Sequence, residues 1–217
     1  MKTLALEFSS SRRGVAVLVD GVVRGEAQEA GGRHTRAFAL MDAALRAAGI
    51  EREEIELLAV GLGPGSYTGI RSAIAIAQGW QAARSVKLAG VNSVEAMASQ
   101  AHAEGRRGRI HIFIDAQRGE FYFGAYDLVD EGPRLIEPLR IVTPEEAKLP
   151  GQVGGAIVWP ELREAFPDTT IIEPDAAMVG RLAARCGEFV DGATLEPVYL
   201  RPVQFVKASP LRNIPGT

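Results

Sequence analysis

The sequence predicts an α/β protein, and three observations carry that prediction. Strand-like and helix-like segments alternate through the first 103 residues. Four glycines and a proline stand directly between an apolar strand and an apolar helix in GLGPGSYTGIR, Gly61 to Arg71. A new pair of strands opens after a charged break at 104–109. At 217 residues, 47% hydrophobic and 24% charged, the chain has apolar material for one large domain or two small ones.

The elements follow in order. Thr3 to Phe8 and Arg13 to Val19 are apolar runs joined by the polar link SSSRR, and Asp20-Gly21 is a hairpin signal leading into Val22 to Glu29. After Gly31-Gly32, the segment Thr35 to Ala48 places Phe38, Met41, Leu45 and Ala48 on one helical face and Ala37, Leu40, Ala44 and Ala47 on another, with Gly49 as C-cap. The core strand Leu57 to Leu62 runs into the elbow, then come helix Thr68 to Ala83, strand Lys87 to Val91 and helix Ser93 to Ala103. Ser93 followed closely by Glu95 is a helix-start signature, with Glu95 capping from inside. Strands Ile110 to Ile114 and Phe121 to Tyr126 flank the turn DAQRGE. Residues 1–104 and 105–217 are thus two lobes, with the tail of the second packing back on the first. Between Gly132 and Gly155 proline and glycine are frequent and clear elements are few. A short helix is expected at Pro144 to Lys148 and a longer one at Ala176 to Val190. Three strands followed by helix and strand in the first lobe, and two strands opening the second, permit a duplicated architecture.

Composition narrows the function classes. A formal charge of −3 and a pI near 5.7 argue against a large basic surface, so any RNA contact is shared with a partner. The single cysteine, Cys186, excludes an internal disulfide, reads as a small buried hydrophobe, and fits a reducing cytoplasm. MKTLALEFSS reads as a strand rather than a secretion signal, and no stretch is long and apolar enough to cross a bilayer.

The elbow carries the chemistry. Glycine permits positive φ and close backbone approach, Pro64 removes a donor, and Ser66 or Thr68 can cap the following helix. Unpaired N–H groups and the helix dipole make such a corner fit to hold a phosphate or carboxylate, with Gly63, Gly65, Ser66, Thr68 and Gly69 as the candidate residues. The bland alternative is a tight packing turn without ligand. The two commonest phosphate loops do not match. Gly65 is followed by Ser66 and Tyr67 where a P-loop has Lys and Ser or Thr, and the dinucleotide pattern needs its third glycine where Ser66 stands.

GLGPGSYTGIR, LALEFSSS, RHTRAFALMDAAL, IDAQRGEFYFGAYD and the late EPVYLR together resemble the TsaB (YeaZ-type) family of the actin, hexokinase and Hsp70-like ATPase superfamily. The resemblance covers residues 1 to 126 and returns at Glu196 to Arg201. It implies a two-lobed, ribonuclease H-like fold with mixed sheets flanked by helices. It also implies a role in making threonylcarbamoyladenosine next to the tRNA anticodon, as a non-catalytic platform that binds and activates a TsaD-like catalytic subunit, with a TsaE-like ATPase as third partner. On that resemblance tRNA is expected only within the complex, and the chain is expected to pair with itself when the partner is absent. No intrinsic cofactor is implied, and ATP or ADP belongs at the boundary with the partner.

The residues separate platform from catalyst. The catalytic relatives look like metal enzymes with two histidines four apart on a helix, whereas here Phe38 stands four residues after His34, and His102 and His111 lie far off. That argues against a metallopeptidase, an assignment attached to the glycoprotease-like relatives, and no metal site is expected, since one would have to assemble from ligands distant in sequence. In the superfamily's first turn, here EFSSSRRG, Glu7 replaces the usual Asp and Ser9 stands where a phosphate-gripping glycine is expected, so an independent nucleotide site is doubtful. Asp115 and Arg118 in the second turn are either nucleotide ligands or a turn-stabilising ion pair. A stand-alone small-molecule kinase or ATPase is the competing class, and only fragments of its machinery are visible.

IRSAIAIAQGWQAA, residues 70–83, is uncharged around too much of its circumference for a half-exposed helix. Together with helix Thr35 to Ala48, whose second face is Ala-rich, it predicts a protein interface through Phe38, Met41, Leu45, Ile70, Arg71, Ala73, Ile74 and Ala77. Glutamate placed at Ala73 or Ala77 is the corresponding test. The alternative is a helix simply sandwiched between sheet and tail.

Overall fold

The computed structural model describes residues 1–30, 35–147, 156–158, 162 and 169–201. Strands β1 (Lys2–Glu7), β2 (Arg12–Val19) and β3 (Val22–Ala30) form an antiparallel meander. Helix α1 (Ala37–Ala48) follows, then β4 (Leu57–Gly61), α2 (Tyr67–Ala83), β5 (Lys87–Val91) and α3 (Ser93–Ala103). The second half repeats the scheme: β6 (Gly108–Asp115), β7 (Phe121–Val129) and β8 (Gly132–Val142), then α4 (Pro144–Ala147), β9 (Ala156–Val158), β10 (Thr170–Ile171) and α5 (Ala176–Cys186).

The two sheets have one topology. The first runs β3-β2-β1-β4-β5 and the second β8-β7-β6-β9-β10. In each, three antiparallel strands are extended by two parallel ones on the far side of the first strand. Parallel neighbours need helical crossovers, which explains the strict β-α-β order through α2. The duplicated architecture that the sequence permits is therefore present in the strand order. β8, at 11 residues, lies in the Pro- and Gly-rich stretch where few elements were expected. Its two prolines are compatible with a strand because it stands at the sheet edge.

α1 and α2 cover one face of the first sheet. Leu4, Leu6, Val15, Val17, Leu58 and Val60 meet Leu40, Met41, Ala44, Leu45, Ile70, Ala73, Ile74 and Ala77 there. The opposite face packs on α5, where Ala5, Ala16, Leu18, Leu57 and Ala59 meet Ala176, Val179 and Ala183. The division after residue 104 thus separates the strands of the two sheets but not their helices. α5, from the second half, lies on the first sheet, while Val94, Met97, Ala98 and Ala101 of α3 pack on Ile110, Ile112 and Ile114 of the second. Leu195 also sits in the first core, and Val198 N–H donates to Leu62 O at 2.9 Å, so part of the tail returns to the first lobe.

Several boundaries and side chains differ from expectation. α5 ends at Cys186, where Gly187 takes the left-handed conformation, rather than at Val190. Cys186 is exposed, because it lies on the solvent side of the last helical turn. α3 is capped by Asn92, whose Oδ1 accepts from Val94 N–H at 2.9 Å, not by Ser93 or Glu95. α1 begins at Ala37, and Phe38 is 73% exposed while Met41 and Leu45 are buried, so the three do not share an environment. His34, Lys148 and the tail beyond Arg201 lie outside the described residues.

Candidate functional site

The elbow is bound to the first turn by a chain of buried polar contacts. Glu7, at the end of β1, is fully buried. Its Oε1 accepts from Ser9 N–H at 2.7 Å and its Oε2 from Ser93 Oγ at 2.8 Å. Ser93 Oγ in turn accepts from Gly63 N–H at 3.1 Å, and Ser93 N–H donates to Gly63 O at 2.9 Å. Burial pushes the Glu7 carboxyl above its ordinary value, against the pull of its bonds from Ser9 and Ser93 and the charge of Arg13. Glycine is required beside it: a Cβ on Gly61 would lie 2.0 Å from Glu7 Oε2.

Arg13, on β2, completes the closure. Its Nη1 donates to the carbonyls of Phe8 and Ser10, and its Nη2 donates to Ser66 Oγ at 2.9 Å. Ser66 caps α2 by accepting from Gly69 N–H at 3.3 Å, and its own N–H donates to Ser9 O at 2.6 Å. A Cβ on Gly69 would come within 2.0 Å of Phe8 O, so the first turn presses directly on the helix start. Three of the five candidate anion-binding residues, Gly63, Ser66 and Gly69, therefore spend their N–H groups inside the chain. Gly65 is half-buried and Thr68 exposed at the rim. The corner where an anion was expected is filled by a carboxylate, a guanidinium and two serines of the protein itself.

The second turn is organised differently. Asp115 Oδ1 accepts from Gln117 N–H at 2.7 Å and Oδ2 from Gln117 Nε2 at 2.8 Å. Gln117 and Arg118 both adopt positive φ, 63° and 60°. Among the described residues Asp115 and Arg118 form no ion pair, because Arg118 points to solvent and Gln117 takes the carboxylate. Nor does a hydrogen bond or ion pair join either residue to the elbow. The late strap links the two turns instead. Val198 bonds to the elbow, and Arg201 Nη2 donates to Ala116 O at 3.1 Å and to Glu120 at 2.5 Å. Between these points Tyr199 lies 5.9 Å from the Tyr67 ring, over which Arg71 is stacked at 4.8 Å.

Sequence reasoning missed Arg13 and gave Ser93 the wrong task. Neither carries a local signal, since an arginine after SSS and a serine after a helix-capping asparagine are ordinary surface patterns. His102 Nε2 lies 2.8 Å from Val129 O, and His111 is buried against Phe123. The two histidines belong to α3 and β6 and do not form the helical pair of a metal enzyme.

The outer faces of α1 and α2 have the opposite character. Ile70, Ala73, Ile74 and Ala77, expected at a partner interface, are 0–6% exposed against the chain's own first sheet. A residue needed by the core cannot also form a surface contact, so these four are corrected to core positions. Among the described residues, what lies open is a groove of about 800 Å³ between the two helices. Phe38, Ala75, Ile76, Gly79, Trp80 and Ala83 are among its lining, and Met41 and Leu45 reach it from the core. Of the expected interface set, Phe38 and Arg71 are exposed.

Duplicated sheets of this order, each with three antiparallel strands extended by two parallel ones, define a member of the actin, hexokinase and Hsp70-like superfamily. The fold is shared with component A of the Acidaminococcus fermentans (R)-2-hydroxyglutaryl-CoA dehydratase at a TM-score of 0.50 and 10% identity, over 86% of this chain and 98% of that one. A closer likeness is to YeaZ from Pseudomonas aeruginosa, with a TM-score of 0.78 and 26% identity over 92% of this chain and 99% of that one. The family model for TsaD, tRNA N6-adenosine threonylcarbamoyltransferase, matches residues 18–185. The chain is 31% identical to the tRNA threonylcarbamoyladenosine biosynthesis protein TsaB of Escherichia coli strain K12, over 93% of this chain and 95% of that protein. It is 29% identical to the TsaB protein of Bacillus subtilis over 58% of this chain and 55% of that one. The chain belongs to the TsaB family.

Proposed function

We propose that this chain is the non-catalytic platform subunit of the assembly that makes threonylcarbamoyladenosine next to the tRNA anticodon, and that it binds and activates a TsaD-like catalytic subunit through the groove between α1 and α2. The observation that carries the platform role is the closed corner. Glu7, Arg13, Ser66 and Ser93 occupy one another where a kinase or ATPase of this fold needs free donors for phosphate. The open apolar groove supports the contact, since an uncovered surface of alanines, glycine and a half-buried tryptophan favours close approach of another helix.

Membership in the TsaB family supports the tRNA-modification role directly. A TsaE-like ATPase completes the assembly, tRNA is bound only in the complex, and a second copy of this chain covers the groove when the catalytic partner is absent. An adenine nucleotide, ATP or ADP, enters only at the boundary between subunits. The protein works in the cytoplasm, and no described helix is long and apolar enough to span a membrane.

Ala75→Glu tests the contact. Ala75 is exposed, so folding is expected to change by less than about 0.5 kcal/mol, while binding to the TsaD-like subunit weakens by roughly 30-fold as an unpaired charge is buried. Unchanged assembly by light scattering would exclude the groove. Separately, tight ATP binding and turnover by the isolated chain would overturn the platform role.

A further inference from the structure

The groove between α1 and α2 carries a charge pattern that narrows the chemistry of its occupant, an inference that rests on the groove being the subunit contact. Among the described residues its charged lining is Arg36, Asp42, Arg52 and Arg84. Asp42 is already held by Arg46 at 3.2 Å, and Arg36 by Glu29 at 3.1 Å. Arg52 and Arg84 converge on a single carboxylate. Glu53 Oε1 lies 3.9 Å from Arg52 Nε and 3.6 Å from Arg84 Nη1, too long for either to be a hydrogen bond, while Arg84 Nη2 donates to the Glu53 carbonyl at 2.9 Å. Arg52 and Arg84 line the groove together with Trp80 and Ala83, whereas Glu53 is not among its lining residues.

We infer that Arg52 and Arg84 receive a carboxylate from an apolar helix of the partner subunit, and that this contact selects such a partner over a second copy of this chain. Two guanidiniums sharing one distant carboxylate keep most of their donors available, and their planar forks match a second carboxylate. The neighbouring Trp80 and Ala83 exclude water once a helix is seated, which strengthens that pairing. Tryptophan and arginine together are the usual composition of an energetic centre in an interface. A second copy offers the reverse. Among the described residues its groove brings three arginines and one aspartate already engaged, so arginine faces arginine and self-association is weakened.

The test uses the full chain, the TsaD-like subunit of the same cell, and two measurements: heterocomplex affinity by titration calorimetry and self-association by sedimentation equilibrium. The double variant Arg52→Glu/Arg84→Glu is expected to weaken the heterocomplex by about tenfold or more while self-association stays equal or tightens. Glu53→Gln, which frees both arginines, is expected to tighten the heterocomplex. Raising salt from about 0.05 to about 0.5 M is expected to weaken the wild-type heterocomplex more than that of the double variant. Should charge reversal disturb folding, Arg52→Gln/Arg84→Gln gives the same comparison. A heterocomplex indifferent to these changes, or equal losses in both assemblies, overturns the selection. If Ala75→Glu disrupts assembly in that case, the groove remains the contact and only the charge selection falls. If Ala75→Glu is also without effect, both fall together.

Discussion

Helix α2 serves two surfaces with opposite chemistry. At its N-terminus, polar groups are numerous and answer one another. Ser66 caps the helix and accepts from Arg13, Ser9 takes the N–H of Ser66, and Glu7 holds Ser93, which holds Gly63. Along its outer face, Ala75, Gly79 and Ala83 are exposed beside the half-buried Ile76 and Trp80, and they face a groove that the described chain leaves open. The difference teaches which surface of this fold is available for work. At the corner where the glycine spacing predicts an anion site, this chain's own side chains answer one another. Where a helix pair would ordinarily be solvated by charges, it has kept small apolar residues.

Substitutions that separate these surfaces sharpen the contrast. Ala77→Glu and Ala75→Glu differ by two positions and by the surface each one meets. Ala77 is 0% exposed on the sheet side, so a charge there is expected to cost about 4 kcal/mol or more by urea denaturation and to unfold the first lobe. Ala75→Glu is instead expected to spare folding and to weaken assembly. An Ala77→Glu protein that folds normally and merely dissociates would break the distinction between the two faces.

Ser93→Ala tests the closed corner. It strips Glu7 Oε2 and Gly63 N–H of a shared buried partner, and a loss of about 3 kcal/mol in thermal or urea unfolding is expected. A change within a few tenths would mean that water replaces the hydroxyl and that the corner is wetter than the burial of Ser93 indicates.

The smallest effect concerns pH. Because burial holds the Glu7 carboxyl above its ordinary value of 4.5, the folded state binds a proton more tightly than the unfolded chain. The stability contributed by this group is complete in acid and is lost as pH rises from that ordinary value through the elevated folded one. Glu7→Gln does not titrate there, so the stability of the wild type minus that of the variant is expected to decline with rising pH in paired urea melts. A difference that grows with pH would show that Arg13 and the two hydrogen bonds outweigh burial.

Much of the first lobe was legible because its elements are written in local terms. Asp20-Gly21 makes a hairpin, Gly49 ends α1 in the left-handed conformation, and β5 and α3 occupy the segments their periodicity marks. β8 was not legible, since Pro133 and Pro138 argue against a strand until its place at the sheet edge is known. The candidate site divides in the same way. GLGPGSYTGIR identifies an elbow and Ser66 a cap by composition alone. Arg13 and Ser93 reach the elbow from 53 and 30 positions away in sequence, across separate elements, and only folding brings them there.

The sequence by itself determined the α/β class and the elbow, because glycine spacing and apolar periodicity act through short-range geometry. The tertiary structure decided which side of each helix was spent. A stripe such as Ile70, Ala73, Ile74 and Ala77 is equally fit for a sheet or for a partner, and hydrophobic burial has no direction until the sheet is in place. It also decided that α3 and α5 exchange lobes, since a long-range packing choice leaves no mark in local sequence. Once the inward face was taken, the outer groove, with Arg52 and Arg84 in its lining, was what the described chain left open.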